Sequence, residues 1–130
     1  MKKHPGYIAL ISVLILTAIG LVIVTGLLNR SISSSQVSQL EDYTLRAQAA
    51  AAACAEHALI KLKDSTAYAG NETFRLGLDD CRVLSVTGSG DINRTITTTG
   101  TVGGAARKIY VDIATVNPTM SIRSWQEVTF

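Results

Sequence analysis

The chain has 130 residues, with twelve lysines and arginines against ten acidic residues and a formal net charge of +2. That length holds one domain, and so small a charge gives no strong attraction to nucleic acid or to an acidic lipid surface. The hydrophobic share is 47%, but it is unevenly spread, and the uneven part comes first.

Lys2, Lys3 and His4 form a short basic start that ends at Gly6. Residues 7–28 then run without a charge, matching the roughly 20 residues that a membrane-spanning helix needs. A secretory signal usually holds only about 7–15 apolar residues and ends in a small-residue cleavage pattern, and neither feature fits here. The lysines lie on one side of the run and Arg30 is the first charge on the other. Positive residues stay in the cytoplasm, which predicts a single-pass protein of the cytoplasmic membrane, N-terminus inside and the rest extracytoplasmic. The span is rich in isoleucine and valine, poor helix formers in water, but in lipid the backbone has to satisfy its own hydrogen bonds, so helix is expected. Gly20 and Gly26 interrupt it and would let a neighbouring helix approach.

Residues 29–39 are serine-rich, with low helix propensity. Beyond them Leu40, Tyr43, Ala47, Ala51, Cys54, Ala58 and Leu62 recur at steps of three or four, the stripe of an amphipathic helix. The expected extension covers residues 29–63. Acidic residues near the start of this stretch and Lys61 and Lys63 at its end suit the helix dipole. His57 sits beside the stripe as a border residue.

Residues 64–80 have turn chemistry and no helical period, and read as a connecting loop with room for one short strand. Residues 81–130 read as an antiparallel sheet. Three strand-like runs cover residues 81–88, 92–102 and 107–116, and in the last Ile109, Val111 and Ile113 alternate with Lys108, Tyr110 and Asp112. "GSGD" and "GG" separate the runs as hairpin turns. The tail suits an edge strand or a helical turn. The fold class expected is α+β: a long N-terminal helix, membrane-spanning and then amphipathic, packed on a C-terminal antiparallel meander.

Cys54 and Cys81 both fall in the part placed outside the membrane. An even cysteine count there favours a disulfide, with two unrelated buried thiols as the alternative. A bridge would close a loop of 27 residues, worth roughly 3.5 kcal/mol in the chain-entropy account. No CxxC pair accompanies them, so the spacing suits no zinc site. The sequons at Asn29, Asn71 and Asn93 are matches expected by chance in a chain rich in serine and threonine. Asp79, Asp80 and Asp91 read as solvated turn carboxylates rather than as calcium ligands. With no nucleophile–base pair, phosphate loop or metal cluster, the chain reads as a non-enzyme without a cofactor.

A basic leader ending in Gly6, then Tyr7, an apolar helix, an amphipathic extension and a terminal sheet together resemble a type IV pilin or pseudopilin. The resemblance implies cleavage after Gly6 by a prepilin peptidase and N-methylation of the new terminus at Tyr7. Cleavage would remove Lys2 and Lys3, leaving ten basic against ten acidic side chains. It implies as partners other pilin or pseudopilin subunits, the prepilin peptidase, an inner-membrane assembly platform and the lipid bilayer, with a place in a cell-surface or secretion-type filament. Major pilins usually carry a glutamate as the fifth residue after the cut. Ile11 stands there, followed by Ser12, and the helix lacks the usual proline. A buried carboxylate without a partner is costly, so the resemblance is closest to minor pilins or tip pseudopilins. The alternative is an unprocessed, membrane-anchored extracytoplasmic binding module. Nucleic-acid binding has little support, because Arg82, Arg94, Arg107, Lys108 and Arg123 are scattered rather than clustered with aromatics.

Overall fold

The computed structural model describes residues 5–128, and Lys2, Lys3 and His4 of the expected leader lie outside them. A single helix, α1 (Pro5–Asp64), is followed by five strands: β1 (Glu72–Leu76), β2 (Asp79–Thr87), β3 (Ile92–Val102), β4 (Ala105–Thr115) and β5 (Ser121–Val128). The strands form one antiparallel sheet in sequence order. The α+β class expected from the sequence is the fold observed. The chain divides into two units, Met1–Gln39 and Leu40–Phe130.

In the first unit the apolar side chains of residues 7–28 all face outward, with Tyr7, Leu14, Leu21 and Leu28 between 57% and 70% exposed. The helix continues through the serine-rich residues without a break. Pro5 suits the first helical turn, where its missing N–H costs nothing.

In the second unit the alanine-rich part of α1 lies on the sheet. Ala47, Ala50, Ala51, Cys54, Ala55, Ala58, Leu59 and Leu62 are buried on the helix side. Val83, Val86, Ile96, Ile109, Val111 and Ile113 face them from β2, β3 and β4. Gly100 explains the small residues. A Cβ there would collide with the Ala47 carbonyl oxygen and the Ala51 amide nitrogen. Helix and strand backbones therefore touch at this point, and nothing larger than alanine fits the facing positions. Beside it Thr98, fully buried, donates its hydroxyl to the Ala51 carbonyl at 2.8 Å. Leu40, placed on the stripe by its spacing, is 61% exposed: the sheet's cover starts about one turn later, at Tyr43, whose ring packs at Gly103.

The β3–β4 hairpin turns on Gly103 and Gly104, both at positive φ (54° and 85°), the tight primed turn that "GG" predicts. The segment 64–80, read as a connecting loop with room for one short strand, contains such a strand. It holds β1 and the first residues of β2, so the sheet begins at Glu72 rather than at Cys81. Five residues are too few to show a period in sequence, and β1 is a strand because its partner β2 supplies the hydrogen bonds. The tail forms the edge strand β5.

Candidate functional site

Two features carry the functional argument: the apolar first unit with its Gly6–Tyr7 junction, and the stapled edge of the second.

Residues 7–28 would span about 33 Å at 1.5 Å per residue, close to the hydrocarbon thickness of a bilayer. α1 is long and apolar enough to cross a membrane, with a mean hydropathy of 2.8 over its most apolar window. Its hydroxyls suit that setting. Ser12 donates to the Ile8 carbonyl at 2.9 Å, Thr17 to Leu14 at 2.9 Å and Thr25 to Leu21 at 3.0 Å. Each polar hydrogen is thus spent inside the helix, as a lipid environment demands. Gly6 and Tyr7 sit in the first turns of α1, with Tyr7 70% exposed. Gly6 opens a shallow apolar groove that continues over Ala9, Val13 and Thr17. Gly20 and Gly26 have open space where a Cβ would stand.

Cys54 and Cys81 form a disulfide, with Cα atoms 6.0 Å apart and both residues almost fully buried. The helix stripe and the start of β2 bring them together, as their positions predict. No free thiol remains among the described residues. Around the staple, polar links tie the β1 edge to α1. Arg46 donates to both oxygens of Asp79, at 2.7 and 2.9 Å. Lys61 and the Tyr68 hydroxyl both donate to Glu72, at 3.4 and 3.1 Å. Burial first, then that hydrogen bond and the negative charge of Glu72, push the Tyr68 phenol up to about 12. His57 packs edge-on against Phe74 with ring centroids 4.3 Å apart, and its Nε2 is buried without a hydrogen-bond partner.

The residue that sequence reasoning missed is Arg94. It is 2% exposed, on the inner face of β3. Its guanidinium donates to four backbone carbonyls: Thr66 at 2.7 Å, Thr87 and Gly90 at 3.0 Å, and Tyr68 at 3.3 Å. It holds the helix-to-sheet connection against the β2–β3 hairpin. The signal for it was parity, since Arg94 shares its face with Ile96 and Thr98.

The asparagines of two sequons have local duties. Asn71 and Asn93 both adopt positive φ (58° and 51°), which asparagine tolerates. Their side-chain oxygens accept from Arg82 and Arg123, each at 2.8 Å. Asp79, Asp80 and Asp91 pair with Arg46, Arg75 and Asn117 respectively. Among the described residues no cluster of His, Cys, Asp or Glu could hold a metal ion.

No family model, curated protein or solved structure matches this chain. One long apolar N-terminal helix followed by an antiparallel sheet is compatible with a pilin-like surface subunit, and the helix is able to anchor it in a membrane.

Proposed function

We propose that this chain is a minor pilin or pseudopilin: a structural subunit, not an enzyme, that is cleaved after Gly6 and assembles through its N-terminal helix into a type IV pilus or a type II secretion-like filament. The observation that carries the reading is the continuity of α1. One helix presents an uncharged, outward-facing half (residues 7–28) and continues into a half that packs on a sheet. A plain anchor needs only a span and a linker. A continuous helix that serves both as span and as core element suits a subunit that leaves the bilayer with its head attached.

In this reading the membrane is the subunit's store, with its N-terminus inside and its head outside. Prepilin peptidase frees the Tyr7 amine for methylation, and an assembly platform draws the helix into contact with other subunits. Ala9 keeps the start of the mature helix slim where such contacts form, and Gly20 and Gly26 do the same further along. Ile11 in place of a glutamate leaves no carboxylate needing a neighbour's amine, which favours a minor or tip position over the bulk subunit. Nucleic acid is not the partner the chain's charge favours.

Co-expression with an active prepilin peptidase tests this. Intact mass should fall by the first six residues, and Gly6→Ala should hold the chain at full length. A wild-type chain left intact while a control substrate is cut would refute the reading and leave the unprocessed membrane-anchored module in its place.

A further inference from the structure

Leu78 breaks a local rule. It is the second residue of the two-residue turn between β1 and β2, where Leu76 pairs with Asp79. Gly77, at φ 71°, supplies the positive φ that the first position of such a turn needs. The second position is ordinarily polar, because it projects into water. Leu78 is 98% exposed, the most exposed large apolar side chain among the described residues, and Leu76 beside it is 43% exposed. A lone exposed leucine is common on protein surfaces, but the turn gains nothing from this one.

A hollow of about 230 Å³ lies on the same edge of the molecule. It is walled by Ala53, His57, Phe74, Leu76 and the Cys54–Cys81 bridge, with Arg75 at its rim. An apolar cavity of roughly 150 Å³ holds a benzene-sized group, so this one has room for a leucine side chain. The buried His57 Nε2 has no hydrogen-bond partner among the described residues. The central peptide of a two-residue turn lies outside the strand ladder, and so travels with Leu78 as a free polar group.

We propose that the β1–β2 edge pairs two copies of this chain, with Leu78 of each entering the hollow beside His57 of the other. Knob and hollow on one surface make that patch self-complementary, which is the requirement for a two-fold contact. The charges agree. Arg75 and Asp80 are 83% and 55% exposed and only 3.4 Å apart, so a two-fold pairing lets each exchange its partner for that of the second copy. The patch is smaller than the interfaces that hold soluble dimers together. Two copies confined to one membrane need less, because confinement raises their effective concentration. The contact involves only the second unit and does not depend on leader cleavage.

The test places a photo-crosslinking amino acid at position 78 of the full chain in membranes, using an equal mixture of isotopically light and heavy protein. Light–heavy crosslinks to residues 53–57 or 74–76 are expected, and they should fall at least tenfold when the hollow is filled by Ala53→Trp. Ala53 is exposed, and non-reduced mass confirms that the bridge has formed in the variant. Crosslinks confined to single chains, to other segments or to other molecules, or indifference to Ala53→Trp, would overturn the proposal. The intact mass of the same samples reports leader cleavage separately, so pairing without cleavage refutes the filament reading alone.

Discussion

Gly100 of β3 lies against the Ala47 carbonyl of α1 so closely that no side-chain carbon fits between them. The contact sets the distance between helix and sheet for the whole second unit, and the Thr98–Ala51 bond holds the same spacing two residues away. Gly100→Ala forces helix and strand apart and loosens the packing of Ile96 and Val83 as well. Overpacking of this kind typically costs about 1–3 kcal/mol. Because both colliding groups are backbone, the upper end is expected. Urea unfolding of the full chain in detergent measures it.

The Cys54–Cys81 bridge joins helix to sheet across 27 residues. Replacing both with serine should lower stability by roughly 2–5 kcal/mol, the usual loss for a small domain. Protein purified without reductant should show no thiol reactive to alkylation until it is unfolded and reduced. Two freely alkylated thiols would contradict the staple.

Arg94 has no acidic partner among its hydrogen bonds, and all four go to backbone carbonyls. Arg94→Met removes the donors and leaves those carbonyls unsatisfied, a loss of about 3 kcal/mol given that bonds to a charged donor contribute roughly 1.5–3 kcal/mol each before relaxation. Arg94→Lys should recover little, because an ammonium cannot reach four carbonyls arranged for a planar fork. Hydrogen exchange at residues 65–70 should rise in both variants.

Tyr68 makes the second unit sensitive to alkali. Its phenol titrates at about 12 in the folded protein against 10.0 ordinarily. The folded state therefore holds the proton longer than the unfolded one. The stability this contributes is complete below pH 10 and is lost as pH rises toward about 12. Tyr68→Phe should flatten that part of the pH–stability curve, measured by denaturant unfolding between pH 9 and pH 12. A slope unchanged in Tyr68→Phe would assign the alkaline loss to another group.

The legible parts of the fold are those with a period. Ile109, Val111 and Ile113 alternate as a one-sided strand must, and Ala47, Ala51, Cys54, Ala58 and Leu62 keep helical spacing, so both the sheet and the helix face were readable, as was the direction of Cys54. What was not readable depends on partners distant in sequence. β1 has too few residues to carry a pattern. Leu40 has the right spacing but lies beyond the end of the sheet. Arg94 has the composition of a surface residue and is buried because two segments distant in sequence, the connection after α1 and the β2–β3 hairpin, bring carbonyls to it. His57 became notable only once Phe74 and the disulfide had closed a hollow around it.

Arg94 also divides the clasps of the second unit into two kinds. Arg46–Asp79, Lys61–Glu72 and Arg75–Asp80 are ion pairs at least partly open to water, and dissolved ions weaken such pairs as they shorten the reach of each charge. Arg94 is itself buried and its acceptors are neutral carbonyls, so brine has little to screen. In concentrated salt the β1 edge should loosen while the connection after α1 stays fastened. The surface that carries Leu78 is therefore the part of the head whose grip varies with its surroundings.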